Sequence, residues 1–219
     1  QYYYHSELVA SVSQPRIRLN GSFSAIAVNV GEDLQVRLSV GLEEIPGVPV
    51  DLRARPDDFV VVQVATTETG DGHSADDAVI PGVLDTSTRA FWLHGLRQGV
   101  TAIVTVSADG YQANTIAVTV DPSGFVTTSQ DFVTTTTSSN VALAIVAARL
   151  EPGTGRFVET QEVRGVLTVQ VPVTSSVPAS GTITTSPVFA QAIADGAVSN
   201  AAITEFDPGP NYALCAASR

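Results

Sequence analysis

Lysine and methionine are both absent from the 219 residues, and there is a single cysteine, Cys215. Each absence removes a class of explanation. All 11 basic residues are arginines against 22 acidic ones, and a formal charge of −11 leaves no basic footprint for nucleic acid or anionic lipid. Without lysine no lysine–asparagine isopeptide cross-link forms, and one cysteine gives no intrachain disulfide, so stability has to come from packing and strand pairing. Cys215 reads either as a small buried hydrophobe or as a bond to another chain. No apolar run approaches the roughly 20 residues that span a bilayer. A chain that starts at Gln1 without methionine is expected to be a mature, exported product whose leader has been removed.

Catalytic signatures are missing too. His5, His73 and His94 are the only histidines, they lie far apart, and none has metal-ligand spacing to another histidine or to Cys215. There is no G-x-S-x-G elbow, phosphate-binding loop or H-E-x-x-H helix. The expectation is a protein that is not an enzyme and needs no cofactor. The best polar cluster is "ETGDGHSADDAV", with Glu68, Asp71, Asp76 and Asp77 among glycines. Carboxylates in such a loop suit a hard cation such as Ca²⁺. The spacing departs from that of an EF-hand, which favours a solvated acidic loop, and Asp71, Asp76 and Asp77 stand as calcium candidates on residue type alone.

What is present is short alternation of β-branched residues between glycine, proline, asparagine and aspartate. "SAIAVNV", "DLQVRLSV", "VPVDLRA", "FVVVQVA", "AFWLHGL", "TAIVTVSA" and "NTIAVTV" read as seven strands between Ser24 and Val120. Only "AQAIADGAVSNAAI" has room for a helical turn. After the turn residues of "DPSG" (121–124) the pattern restarts. "DFVTTTTSSNVALAIVAARL" from Asp131 restates "SFSAIAVNVGEDLQVRLSVGL" from Ser22, so that Phe132 falls near Phe23 and Val141, Leu143 and Ile145 match Leu34, Val36 and Leu38. "GVLTVQVPV" echoes "GVPVDLRA", and "EPGTGRFVETQEVR" is an extra loop in the second copy. Asn20 heads an N-G-S sequon of a kind that arises by chance. The stretch "TTSQDFVTTTTSS" reads as a strand with one polar face, or as a site of O-glycosylation.

"FWLHGLRQGVTAIVTVSADGYQANTIAVTV" resembles the final third of bacterial Ig-like repeats: a strand, a G-L-x-x-G-x turn, a strand, a small-residue turn and a last strand. "SSVPASGTITTSPVFA" with "ITEFDPG" resembles a sister version, in which F-D-P stands for L-H-G. The resemblance implies an all-β chain of two tandem immunoglobulin-like β-sandwich domains, 15–121 and 122–219, and residues 1–14 ahead of them read as an extended N-terminal strand. It also implies a place outside the cell, in surface arrays used for spacing, adhesion or assembly.

Matching Leu93 with Phe206 exposes an asymmetry: 27 residues follow Leu93 through Val120, whereas 13 follow Phe206, which leaves the second copy 14 short. "NYALCAAS" supplies the next-to-last strand and nothing remains for the last. Phe206, Tyr212, Leu214 and Ala216 are therefore expected to border an unpaired acceptor edge. The opening "QYYYHSELVASVS" offers a matching donor, because Tyr2, Tyr4, Leu8, Ala10 and Val12 share one face of a strand, with Ser6 the exception. Fourteen extended residues reach roughly 45 Å, the length of a whole sandwich. The reading is a structural subunit of an extracellular filament whose partners are identical subunits, joined when the N-terminal strand of one completes the C-terminal sandwich of the next. This is the logic of donor-strand pilus subunits, without their motifs or cysteine pair. Other placements stay open: the arm pairing with its own first domain, the arm folding back on its own second domain, or a segment of a longer repeat protein. The alternative function is a repeat pair from a surface adhesin or carbohydrate-associated binding protein.

Overall fold

The computed structural model describes residues 13–135, 137–191, 202–208 and 215–216. These residues are all-β, with no helix among them. The first half contains β1 (Ile17–Leu19), β2 (Ile26–Gly31), β3 (Leu34–Leu42), β4 (Val50–Pro56), β5 (Val62–Ala65), β6 (Ala78–Val83), β7 (Arg89–Gly95), β8 (Thr101–Ser107) and β9 (Asn114–Asp121). They pair as one sheet of order β1-β3-β7-β5 and a second of order β2-β9-β8-β4-β6, with β2 parallel to β9 and the other pairs antiparallel.

Alternation drives this pairing. Along β8 the even positions Ala102, Val104 and Val106 are buried while Thr101, Ile103 and Thr105 face out, and β9 buries Ile116, Val118 and Val120 against them. Leu38, Leu52, Phe91, Leu93, Val104 and Ile116 have no exposed surface. Each side chain sealed in this way contributes about 1.5–3 kcal/mol, and a one-residue slip of any strand turns that face to water. On the outward face Thr101 and Thr119, directly opposed, share a hydrogen bond of 2.9 Å. The N-G-S sequence forms a tight turn: Leu19 and Ser22 exchange backbone bonds of 2.7 and 2.8 Å around Asn20 and Gly21, whose φ angles are 46° and 85°. Asn-Gly is the pair that tolerates two positive φ values in a row.

The second half contains β10 (Ser123–Thr127), β11 (Val133–Thr134), β12 (Val141–Leu150), β13 (Phe157–Thr160), β14 (Glu162–Val163), β15 (Thr168–Val171), β16 (Thr182–Ile183), β17 (Val188–Gln191), β18 (Ala202–Asp207) and β19 (Cys215–Ala216). The order β10-β12-β18-β16 repeats β1-β3-β7-β5, and the β15–β17 pair repeats β4–β6. The internal repeat read from sequence is thus a repeat of topology. One register differs from the sequence match: Val141 opposes Phe206 whereas Val36 opposes Leu93, so with Val141 on Leu34 the counterpart of Phe206 is Gly95. A two-residue offset keeps every side chain on its face. Among its described residues the threonine-rich stretch is mostly irregular, with strand at Thr127, the end of β10, and at Val133–Thr134. Of "AQAIADGAVSNAAI", the ends belong to β17 and β18 and residues 192–201 lie outside the described residues.

The halves are interlocked. The segment read as an extra loop supplies β13, which pairs with β12, and β14, which pairs with β3 at Leu34 and Gln35, along the same edge that β1 covers at Val40–Leu42. Gln161 accepts from Gly31 N–H at 2.8 Å and donates to the Asn29 carbonyl at 3.0 Å. Arg149 bridges Asp121 at 2.7 Å and Glu159 at 3.0 Å, and Asn29 donates to Asp121 at 2.8 Å. Arg164 pairs with Asp33 at 3.0 Å. The buried core runs on from the first half through Ile145, Ala147, Val163, Val171, Val188 and Ala190.

Beside this junction, Gln35 and His94 sit opposite each other on the outer face of the β1-β3-β7-β5 sheet, and both are buried. The Gln35 side chain donates to the Glu68 carbonyl and to Glu162, and accepts from Gly165 N–H. The loop after β5 lies over His94, so close that a Cβ at Gly72 sits 3.1 Å from His94 Nδ1. Neither imidazole nitrogen has a hydrogen-bond partner among the described residues. Burial lowers the His94 pKa from 6.5 to about 4, Arg164 adds to the shift, and Asp71 opposes it.

Candidate functional site

The calcium candidates do not converge. Asp71 accepts from Gly72 N–H, Asp76 lies 3.6 Å from His73 Nδ1, and Asp77 pairs with Arg55 at 2.9 Å. Among the described residues no group of three or more histidine, cysteine, aspartate or glutamate side chains is placed to hold a metal ion. The acidic loop instead covers His94 and meets the second half, with the Gly70 carbonyl against Gly165.

An opening lies between the sheets of the second half. It is a cleft of about 820 Å³. Phe125 on β10 and Leu143 and Ile145 on β12 form one wall, Ile183 and Phe206 continue it, and Val171 on β15 faces them. Phe206 meets Phe132 edge to face, with ring centroids 5.6 Å apart at 65°. The lining carries one charged side chain, Asp131, among serines and threonines at the margin. Chemically this is a trough for apolar side chains with polar groups along its border.

Comparison of the halves explains the opening. In the first half β8 and β9 close the core, with β8 on the free edge of β4 and β9 beyond it. In the second half β15, the counterpart of β4, pairs only with β17 among the described residues, and β19 pairs only with β11. Phe125, Leu143, Ile183 and Phe206 accordingly stay half-buried, whereas Leu38 and Phe91 in the first half are sealed.

Of the expected acceptor residues, Phe206 lines the cleft, Ala216 pairs with Val133 on β19, and Tyr212 and Leu214 lie outside the described residues. The expected donor residues Tyr2, Tyr4, Leu8, Ala10 and Val12 also lie outside them. Sequence reasoning missed the edge of β15 that stays uncovered among the described residues, and the wall of Phe125, Ile145 and Val171. The signal is in the sequence, because "GVLTVQVPV" echoes β4, whose partner β8 has no counterpart beside β15 among the described residues.

The cleft opens away from the junction. β12 reaches the junction at Leu150, whose N–H bonds the Pro122 carbonyl, so its Val141 end and the paired Phe206 mark the far end. Val177, 54 % exposed, stands at the margin on the loop between β15 and β16.

No family model matches the chain, and no curated protein matches it.

Proposed function

We propose that this chain is a non-enzymatic structural subunit of an extracellular filament, built from two immunoglobulin-like sandwiches. Residues 1–14 of one subunit enter the second-half cleft of the next. The observation that carries this reading is the apolar cleft of about 820 Å³ beside an edge of β15 that no strand covers among the described residues. An inserted strand gains main-chain bonds from such an edge and pockets for alternate side chains from such a wall. The alternation of Tyr2, Tyr4, Leu8, Ala10 and Val12 fits that demand. The strand order of the first half supports the immunoglobulin-like description, since its first strand is divided between the two sheets as β1 and β2. Donor and acceptor are different surfaces, so the contact propagates rather than closing a dimer.

The test uses the full chain with its own donor disabled by Tyr4→Asp and Leu8→Asp. A synthetic peptide of residues 1–14 added in excess is expected to raise the melting temperature by mass action, about 2.7 kcal/mol of stabilisation at 100 times Kd. Wild-type protein is expected to form concentration-dependent polymers in sedimentation, and the disabled chain is not. A peptide without effect, together with a wild type that stays monomeric at high concentration, refutes the proposal.

A further inference from the structure

The pole of the first half farthest from the junction carries an exposed apolar loop tip. β3 meets β14 at Leu34 and ends at Leu42, and β9 reaches the junction at Asp121 from Asn114, so loops 43–49 and 108–113 share the far pole. There Ile45 and Val48 are 72 % and 68 % exposed. They are not on a loose loop. Glu43 receives three bonds from Arg16, at 2.8 Å from the backbone N–H and 3.3 and 3.0 Å from the guanidinium. Tyr111 donates to the Glu44 carbonyl at 2.7 Å, and Pro46 and Pro49 stiffen the tip. The tip and Tyr111 frame a concavity of about 440 Å³ that includes Pro15, whose carbonyl accepts from Gln112 N–H at 2.8 Å.

Pro15 is the point from which residues 1–14 depart, and this fixes what can cover the tip. Resting on the strand-exchange reading above, an arm buried as far as Val12 leaves Ser13 and Gln14 to reach Pro15, about 10 Å of extended chain. The pole must therefore touch the mouth of the cleft that holds the arm. We infer that the Ile45–Val48 tip is a second contact between subunits, seated against the margin of the next copy's cleft, where Val177 is exposed. The occupant is a second copy of this chain. Since the pole and the cleft mouth lie at opposite ends of the subunit, the contact extends the filament head to tail. Holding two apolar side chains rigid before binding removes much of the ordering cost of the contact.

The test compares full-length wild type, Ile45→Asp/Val48→Asp and, as a control, Val60→Asp, which alters an equally exposed valine at the junction end. All three are expected to bind the 1–14 peptide alike, which reports an intact fold and cleft. The tip variant is expected to need about tenfold more protein to polymerise, the size of losing apolar anchors at an interface, while Val60→Asp polymerises as wild type does. Equal polymerisation by tip variant and wild type, with the peptide bound equally, overturns the inference and leaves strand exchange standing. If wild type neither polymerises nor binds the peptide, strand exchange fails and the role of the tip falls with it.

Discussion

Lowering the pH from 7.5 to 4.5 removes stability through one buried imidazole. His94 has no exposed surface and no partner for either nitrogen among the described residues, facing Gln35 on β3, Gln63 on β5, Asp71 in the covering loop and Arg164 from the second half. Its pKa is depressed from 6.5 to about 4 when folded. Between those values the unfolded chain binds the extra proton. The contribution is therefore intact above the unfolded value and is lost as the pH falls toward the folded one. Linkage over that window gives a loss of roughly 2–3 kcal/mol at pH 4.5 relative to pH 7.5. Carboxylates titrate over the same range, so the effect is read as a difference against His94→Leu, which keeps the volume and cannot charge. Urea unfolding of both proteins at both pH values is expected to show wild type losing roughly 2–3 kcal/mol more than the variant. At pH 7.5 the variant is expected to equal or exceed wild type, because two unpaired buried nitrogens are removed. If the two proteins lose stability in parallel, or if His94→Leu is strongly destabilised at pH 7.5, the imidazole is not buried without partners and the reasoning fails.

The junction gives two further expectations. Arg149→Leu strands the Asp121 carboxylate, whose side chain is 4 % exposed, with the Asn29 amide as its remaining side-chain donor among the described residues. The expected cost is about 3 kcal/mol, read from the urea midpoint, with partial recovery when Asp121→Asn is added. Gly165→Ala places a Cβ against the Gly70 carbonyl, a backbone group that cannot step aside. An overpacking cost of about 1–3 kcal/mol is expected, with faster hydrogen exchange at the Gly165 amide, which donates to Gln35. Unchanged exchange there means that the two loops are not in contact.

What the sequence conveyed and what it hid divide along one line. Seven strands of the first half, and their recurrence in the second, follow from period-two alternation, a local property that the pairings then reproduce. Strand β6 escaped because Pro81 and Gly82 in "AVIPGV" look like a turn. On a strand that pairs with β4 alone among the described residues, they form the irregularity between the Val50 and Leu52 pairings, with Gly82 at a φ of 68°. The junction escaped for a different reason. "EPGTGRFVETQEVR" has no alternation to mark it, yet it supplies β13, β14, Gln161 and Arg164, whose partners Asn29, Gly31 and Asp33 lie about 130 positions earlier. Burial of Gln161 and Asp121 is set by what arrives from the other half, and no window of sequence contains it. The cleft falls between these cases. Its walls were legible as core positions of a repeat, but their exposure follows from a neighbour that β4 has and that β15 lacks among the described residues, a difference that emerges only when the two are set side by side. The same comparison makes the junction relevant to assembly. With the halves bound by a buried ion pair and a shared strand edge, the pole carrying Ile45 and the cleft mouth at Val177 keep a fixed separation. In the strand-exchange assembly proposed above, that fixed separation between donor end and acceptor end is what gives one repeated contact a constant pitch.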